Sequence, residues 1–192
     1  MSFHKPHLDM AHSLWHESVQ PGDTVIDATC GNGQDTRILA KLALNAHQGT
    51  LFALDIQAQA IVTTRNLLEQ ELPQDLFNRI TFLEQCHSHF PEAVLENSVR
   101  LIIYNLGYLP GANKALTTRT ETTLQSLQEA QKLLLENGII CVTCYPGHDE
   151  GKKEEAALLD YVRSLPTTEW QVSFTQWVNR VGAPSLLVLR KA

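Results

Sequence analysis

No stretch of this chain comes near the roughly 18 consecutive apolar residues that a helix needs to cross a bilayer, and no signal-peptide pattern opens it. A membrane-spanning protein is therefore not expected. Cysteine is sparse, with four residues at 30, 86, 141 and 144, too few and too scattered for a disulfide framework. A reducing, cytoplasmic setting follows as the expectation. Positive charge is also scarce: 15 Lys and Arg stand against 21 Asp and Glu, a net charge of −6. That balance speaks against a broad basic clamp on nucleic acid, although a local patch remains open. Repeats and low-complexity tracts are absent, and the longest turn-rich stretch, 105–118, has the length of a functional loop.

What is present is enough apolar material, 43% of 192 residues, to build one ordinary core without staples. Strand-like runs occur at "TVIDA" (24–28), "TLFALD" (50–55), "RITFLE" (79–84), "VRLIIY" (99–104) and "GIICVTCY" (138–145). Helical patterns lie between them, at 34–45, 57–71 and 119–136, the last one ended by "NG" at 137–138. Such alternation predicts a parallel sheet with helices on both faces. A helix near 151–164 stops at Pro166, and strand-like runs at about 168–178 and 184–190 are joined by "NRVGAP", too short for anything but an antiparallel pair. The expected fold is thus α/β and Rossmann-like: a mostly parallel, seven-stranded sheet closed by an antiparallel C-terminal hairpin, in one domain, with a first helix at roughly 7–18.

The first strand runs into "DATCGNGQDT" (27–36), and a helix follows at once. Gly31 and Gly33 allow a sharp turn and a close approach to a ligand, and the helix start offers free N–H groups. The second strand ends at Asp55, where a carboxylate can accept from both hydroxyls of a ribose. NAD and S-adenosylmethionine both satisfy this pattern. Thr36 stands where the dinucleotide fingerprint places its third glycine, which weakens NAD. The terminal hairpin and the polar loop "NLGYLPG" (105–111) favour a methyl donor.

In that order "DATCGNGQDT", "ALDIQ" (53–57), "HSH" (87–89), "NLGYLPG", "TTRTETTLQSL" (117–127) and "YPGHDEGKKEEAALLDYV" (145–162) resemble the YtqB-like putative rRNA methylase family, over nearly the whole chain. The resemblance implies a class I S-adenosylmethionine-dependent methyltransferase of the MnmM type, which methylates the amine of 5-aminomethyl-2-thiouridine at the wobble position of tRNA. The residues by themselves reach only to methyl transfer. They leave open a small-molecule amine or hydroxyl, another RNA base such as one in rRNA, and a non-catalytic nucleotide-binding module.

By that resemblance the donor pocket comprises Asp27, Gly31, Asn32, Gly33, Gln34, Asp55, Ile56, Gln57, Ser88, His89 and Asn105. Phe90 departs from relatives that carry an acidic residue there. "NLGY" resembles the Asn/Asp-Pro-Pro-aromatic loop of amino-group methyltransferases, in which an amide oxygen accepts from the target amine. Asn105 would supply that acceptor, Tyr108 would stack on the displaced base, Gly107 would permit close approach and Pro110 would stiffen the loop. His148 and Tyr145 are the candidates for proton removal, and Lys152 and Lys153 for phosphate contact, with Arg119 or Arg180 in support. The partner expected is the anticodon arm of tRNA, with a homodimer as one way to pool basic residues. No metal is expected. Cys141 and Cys144 should face opposite sides of a strand, and His12 and His16 lack a third ligand, so these two histidines are expected to be partly buried or near the site mouth.

Overall fold

The computed structural model describes residues 6–45, 47–107 and 118–192. Strands β1 (Thr24–Asp27), β2 (Thr50–Asp55), β3 (Ile80–Glu84), β4 (Val99–Asn105), β5 (Leu134–Cys144), β6 (Trp170–Thr175) and β7 (Ser185–Lys191) form a single sheet in the order β3-β2-β1-β4-β5-β7-β6. The first five run parallel, whereas β7 is antiparallel to both β5 and β6. The expected fold is therefore the observed one, with the last strand inserted between β5 and β6.

Side chains alternate across the sheet with the period of two that a strand imposes. Leu101 and Ile103 of β4 enter one apolar layer, with Val25, Leu51 and Ile139. Ile102 and Tyr104 enter the other, with Ile26, Phe52 and Val142. Helices α1 (Pro6–Ser18), α2 (Gln34–Ala43) and α3 (Ala58–Glu71), with the short α4 (Gln74–Phe77), cover the first layer through Ala11, Trp15, Leu39, Leu68 and Phe77. Helices α5 (Thr120–Leu133) and α6 (Asp149–Arg163) cover the second through Leu127, Ala130, Leu158 and Val162. Burying each such Leu, Ile or Phe side chain contributes roughly 1.5–3 kcal/mol. Cys141 and Cys144 fall in opposite layers, as strand geometry requires.

Two boundaries differ from the sequence reading. Helix α5 stops at Leu133 instead of running to 136, because Leu134 already pairs with Val99. Ile139 then pairs with Leu101, so residues 135–138 bulge from the strand, and Asn137 turns the bulge with φ 60°. The "NG" signal marks this bulge and not a helix end. Helix α4 was not anticipated, being only four residues long.

Neighbours of β1 are β2 on one side and β4 on the other, so the chain order reverses at β1 and β4. Open α/β sheets bind ligands at the carboxyl ends of strands beside such a reversal. The loops that leave β1, β2 and β4 all open there. Among the described residues no helix is long and apolar enough to cross a membrane.

Candidate active site

Leaving β1, the chain is held from below by Asp27. The Thr36 hydroxyl donates to its Oδ2 at 2.6 Å and the Thr29 N–H to its Oδ1 at 3.2 Å. Asp27 is fully buried, and that burial pushes its carboxyl up to about 7 despite the two donors. The structure thus places Asp27 under the glycine loop and not on its open face. Gly31 (φ 52°) and Gly33 (φ 77°) turn the loop. A Cβ on Gly33 would meet the Thr64 Cα and Oγ1 at 3.0 Å, so the wall of α3 leaves no room for a side chain. Thr64 in turn donates to the Gly31 carbonyl at 3.0 Å. Asn32 and Gln34 are exposed on the outer side of the loop.

Asp55 ends β2, and its Oδ2 accepts from the Gly31 N–H at 3.0 Å while Oδ1 accepts from the Gln57 N–H at 2.9 Å. With about four acceptor sites on the carboxylate, the backbone donors leave capacity for a further one. Partial burial raises its pKa, and the backbone N–H groups of Gln57, Gly31 and Ile56 oppose that rise. Ile56 is an apolar side chain left 58% exposed beside this carboxylate, well suited to a flat heterocycle. Past β3, Ser88 is buried and its hydroxyl lies 3.0 Å from His89 Nδ1, while His89 itself is exposed. Phe90 packs against the sheet's second apolar layer.

At the end of β4 the Asn105 N–H donates to Thr29 Oγ1 at 2.7 Å, which ties this strand end to the glycine loop. The Asn105 carboxamide donates through Nδ2 to Asp35 Oδ2 at 2.7 Å. The other oxygen of Asp35 accepts from His12 Nε2 at 2.8 Å. Neither Asp35 nor His12 was assigned a role from the sequence. Asp35 lies inside the quoted loop motif, but His12 reaches it only because α1 packs across the ends of β4 and β5, a contact no local pattern reveals. His16, in contrast, is exposed and takes no part.

Gly107 has φ 118°, and among the described residues a Cβ there would meet the Tyr145 Cβ at 4.0 Å. The Gly107 N–H donates to Thr118 Oγ1 at 2.9 Å, and the Thr118 N–H donates to the Gly107 carbonyl at 3.1 Å. Tyr108 and Pro110 lie outside the described residues. Thr118 also donates to Glu154 Oε2 at 2.7 Å, and Thr123 to its Oε1 at 2.7 Å. Glu154 is buried on α6, its pKa raised by desolvation against these two hydroxyls. Behind it lies His87, whose pKa burial lowers to about 4. The sequence reading quoted this Thr-rich segment and "KKEE" without assigning Thr118, Thr123 or Glu154.

Tyr145 lies beside Gly107, and His148 stands three residues further on at the start of α6. Burial, then the Asp35 charge, push the Tyr145 phenol up to about 12, so it stays a donor at neutral pH. His148 is the N-cap of α6, its Nδ1 accepting from the Gly151 N–H at 3.1 Å. That spends the lone pair a base would need. Gly151 makes this tight start feasible, since a Cβ would sit 2.2 Å from the Tyr145 carbonyl. Lys152 and Lys153 are exposed on the first turn of α6, paired with Asp149 at 3.8 Å and Glu150 at 2.9 Å. Among the described residues no three His, Cys, Asp or Glu side chains gather as metal ligands.

A parallel sheet with a terminal antiparallel hairpin, a glycine loop at its switch point and an acid ending the second strand define a methyltransferase of the Rossmann-like class. Comparison with known proteins narrows this. The family model described as "Putative rRNA methylase" matches residues 51–191, and the chain belongs to that family. It is 38% identical over 191 residues, 97% of its length and 70% of the relative's, to a chloroplastic tRNA (mnm(5)s(2)U34)-methyltransferase of Arabidopsis thaliana. A solved structure described as a "putative rRNA-methylase" from Clostridium thermocellum superposes with a TM-score of 0.90 at 34% identity, covering all of both chains. A protein of Streptococcus mutans described as "a putative methyltransferase", solved in complex with SAH, gives 0.85 at 30% identity over 97% of this chain and 98% of that one.

Proposed function

We propose that the protein transfers a methyl group from S-adenosylmethionine to the primary amine of 5-aminomethyl-2-thiouridine at the wobble position of tRNA. The observation that carries the reading is Asn105: it places a carboxamide at the carboxyl end of β4, beside the switch point, and its backbone N–H is tied to Thr29 of the glycine loop. The likeness to a tRNA methyltransferase, over 97% of this chain and 70% of that relative, supports the choice of acceptor.

The residues present fit the donor. Gly33 is cradled where a side chain would clash, Asp55 keeps acceptor capacity for a vicinal diol, and Ile56 offers an exposed apolar face for adenine. Asn32 and Gln34 follow the carboxyl end of β1, Gln57 that of β2, and Ser88 with His89 that of β3, the strand ends at which such sheets bind ligands, and Asp27 orders the loop from beneath. When bound, S-adenosylmethionine supplies an electrophilic methyl on a sulfonium sulfur. The chain's own part is positioning. Asn105 Oδ1 accepts an N–H of the amine, which turns the nitrogen lone pair towards the methyl and converts a bimolecular encounter into a near-attack geometry. Tyr145 stays protonated at neutral pH and His148 Nδ1 is engaged in its helix cap, so the substrate ammonium passes its proton to solvent water before the neutral amine attacks.

For the RNA, a groove of about 320 Å³ runs between the start of α6 and the β6–β7 connection, lined by Pro146, Lys152, Trp177 and Arg180 among others. The Arg180 guanidinium lies 5.8 Å from the Trp177 ring centroid, and the groove adjoins Tyr145 through Pro146. A base can stack on such a ring while Lys152, Lys153 and Arg180 meet phosphates. The resemblance gives Gly107 and Tyr108 the acceptor side, Tyr108 as the ring on which the displaced base would stack. A homodimer would double these few basic contacts. The free thiols at 30, 86, 141 and 144 suit a reducing compartment such as the cytoplasm.

The test supplies labelled donor with tRNA carrying the free aminomethyl group, with the same tRNA lacking it, and with a pool of small amines. Label confined to the amine-bearing tRNA is expected. Label in the small amines alone would replace this reading with a small-molecule methyltransferase.

A further inference from the structure

We infer that Asp35 is the positioning residue of the acceptor site: it fixes the Asn105 carboxamide so that Oδ1, and not Nδ2, faces the incoming amine. The inference rests on the amine reading above and adds to it the means by which Asn105 is held to its task. The two ends of a carboxamide are nearly isosteric, so an unrestrained Asn flips, and in half of its orientations an NH2 group would meet the N–H bonds of the substrate, donor against donor. A carboxylate resolves this ambiguity because it can only accept. Asp35 Oδ2 lies 2.7 Å from Asn105 Nδ2, so only the amide's donor end can face it.

Asp35 is itself held. Its second oxygen accepts from His12 Nε2 at 2.8 Å, so rotating the carboxylate breaks two charge-assisted bonds together. The His12 ring packs 4.8 Å from the ring of Trp15, which is 2% exposed and anchors α1 on the sheet. The Asn105 backbone is pinned independently by Thr29. Asp35 also occupies the first turn of α2, where the helix dipole favours an anion. A first-turn acid serving only the dipole would point to solvent, whereas the Asp35 side chain is 14% exposed and turned onto β4.

Three variants test this: Asp35→Ala, Asn105→Asp, and the double exchange Asp35→Asn with Asn105→Asp. The double exchange restores an amide–carboxylate pair with the roles reversed and leaves a carboxylate oxygen to accept from the amine. Single-turnover methyl transfer to the amine-bearing tRNA is measured beside donor affinity by calorimetry, which also reports folding. Asp35→Ala should slow the chemical step about 10- to 100-fold, the worth of a hydrogen bond to a charged group, with donor Kd within about twofold of the parent. Asn105→Asp, which sets two carboxylates against each other, should be worse, and the double exchange should recover at least about tenfold over it. An unchanged rate in Asp35→Ala, or a double exchange no better than Asn105→Asp, overturns the proposal. NMR of the Asn105 side-chain amide needs no substrate: its protons should be protected from exchange in the parent and lose protection in Asp35→Ala. If that protection holds while the parent protein fails to methylate the amine-bearing tRNA, the substrate reading fails and the orientation stands. Unprotected amide protons in the parent overturn the orientation whatever the substrate is.

Discussion

Replacing Asp27 by Asn should change how the protein's stability depends on pH. The carboxyl is wholly buried, its pKa raised from 3.8 to about 7 by desolvation, with the Asp35 and Asp55 charges adding to the rise and the Thr36 and Thr29 donors opposing it. The folded state therefore holds this proton more tightly than the unfolded state. The stability it contributes is fully present below pH 3.8 and is lost as pH rises through about 7. At 1.36 kcal/mol per pH unit the whole window amounts to about 4 kcal/mol, of which about 3 kcal/mol falls between pH 5 and 8. Asn cannot titrate, yet its Oδ1 can accept from the Thr29 N–H while its Nδ2 donates to the Thr36 hydroxyl. Urea unfolding of both proteins at pH 5, 6, 7 and 8 gives the difference directly. The Asn variant should gain on the parent by about 3 kcal/mol from pH 5 to pH 8. Parallel curves would mean that Asp27 stays ionised in the folded state, and the account of its burial would be wrong.

Asp55→Ala should weaken donor binding about 10- to 100-fold in calorimetry while leaving the fold intact, since it removes a charged acceptor; NADH binding more tightly than S-adenosylmethionine to the parent would refute the donor assignment. Asn105→Ala should bind the donor normally and lose the chemical step, an outcome read from single-turnover rates against donor Kd. The paired change Lys152→Ala and Lys153→Ala should weaken tRNA binding and flatten its salt dependence by about one to two phosphates' worth without touching donor affinity. An unaltered salt slope would remove these lysines from the RNA contact.

The alternation of strands and helices was open to reading because each element carries its own period. "VRLIIY" reads as a strand buried on both faces, and the structure sends Ile102 and Tyr104 to one layer, Leu101 and Ile103 to the other. The glycine loop and Asp55 were also legible, because loop chemistry and spacing are local. The end of α5 was not. "NG" signals a turn but not which kind, and the pairing of Leu134 with Val99 converts it into a bulge inside β5. The polar networks around the site were beyond the sequence for the same reason. Asp35 looks like any first-turn acid until α1 brings His12 to it, and Glu154 looks like one more charge in "KKEE" until the α5 hydroxyls meet it. The helix cap that His148 makes and the protonated phenol of Tyr145 were not legible either, because they depend on burial and on Gly151.

The most direct test of the central claim is nucleoside mass spectrometry of tRNA from cells with and without this chain. The account predicts that its loss leaves 5-aminomethyl-2-thiouridine in place of the methylaminomethyl form, and that a copy carrying Asn105→Ala fails to restore it. Unchanged wobble nucleosides in the cells lacking the chain would contradict it.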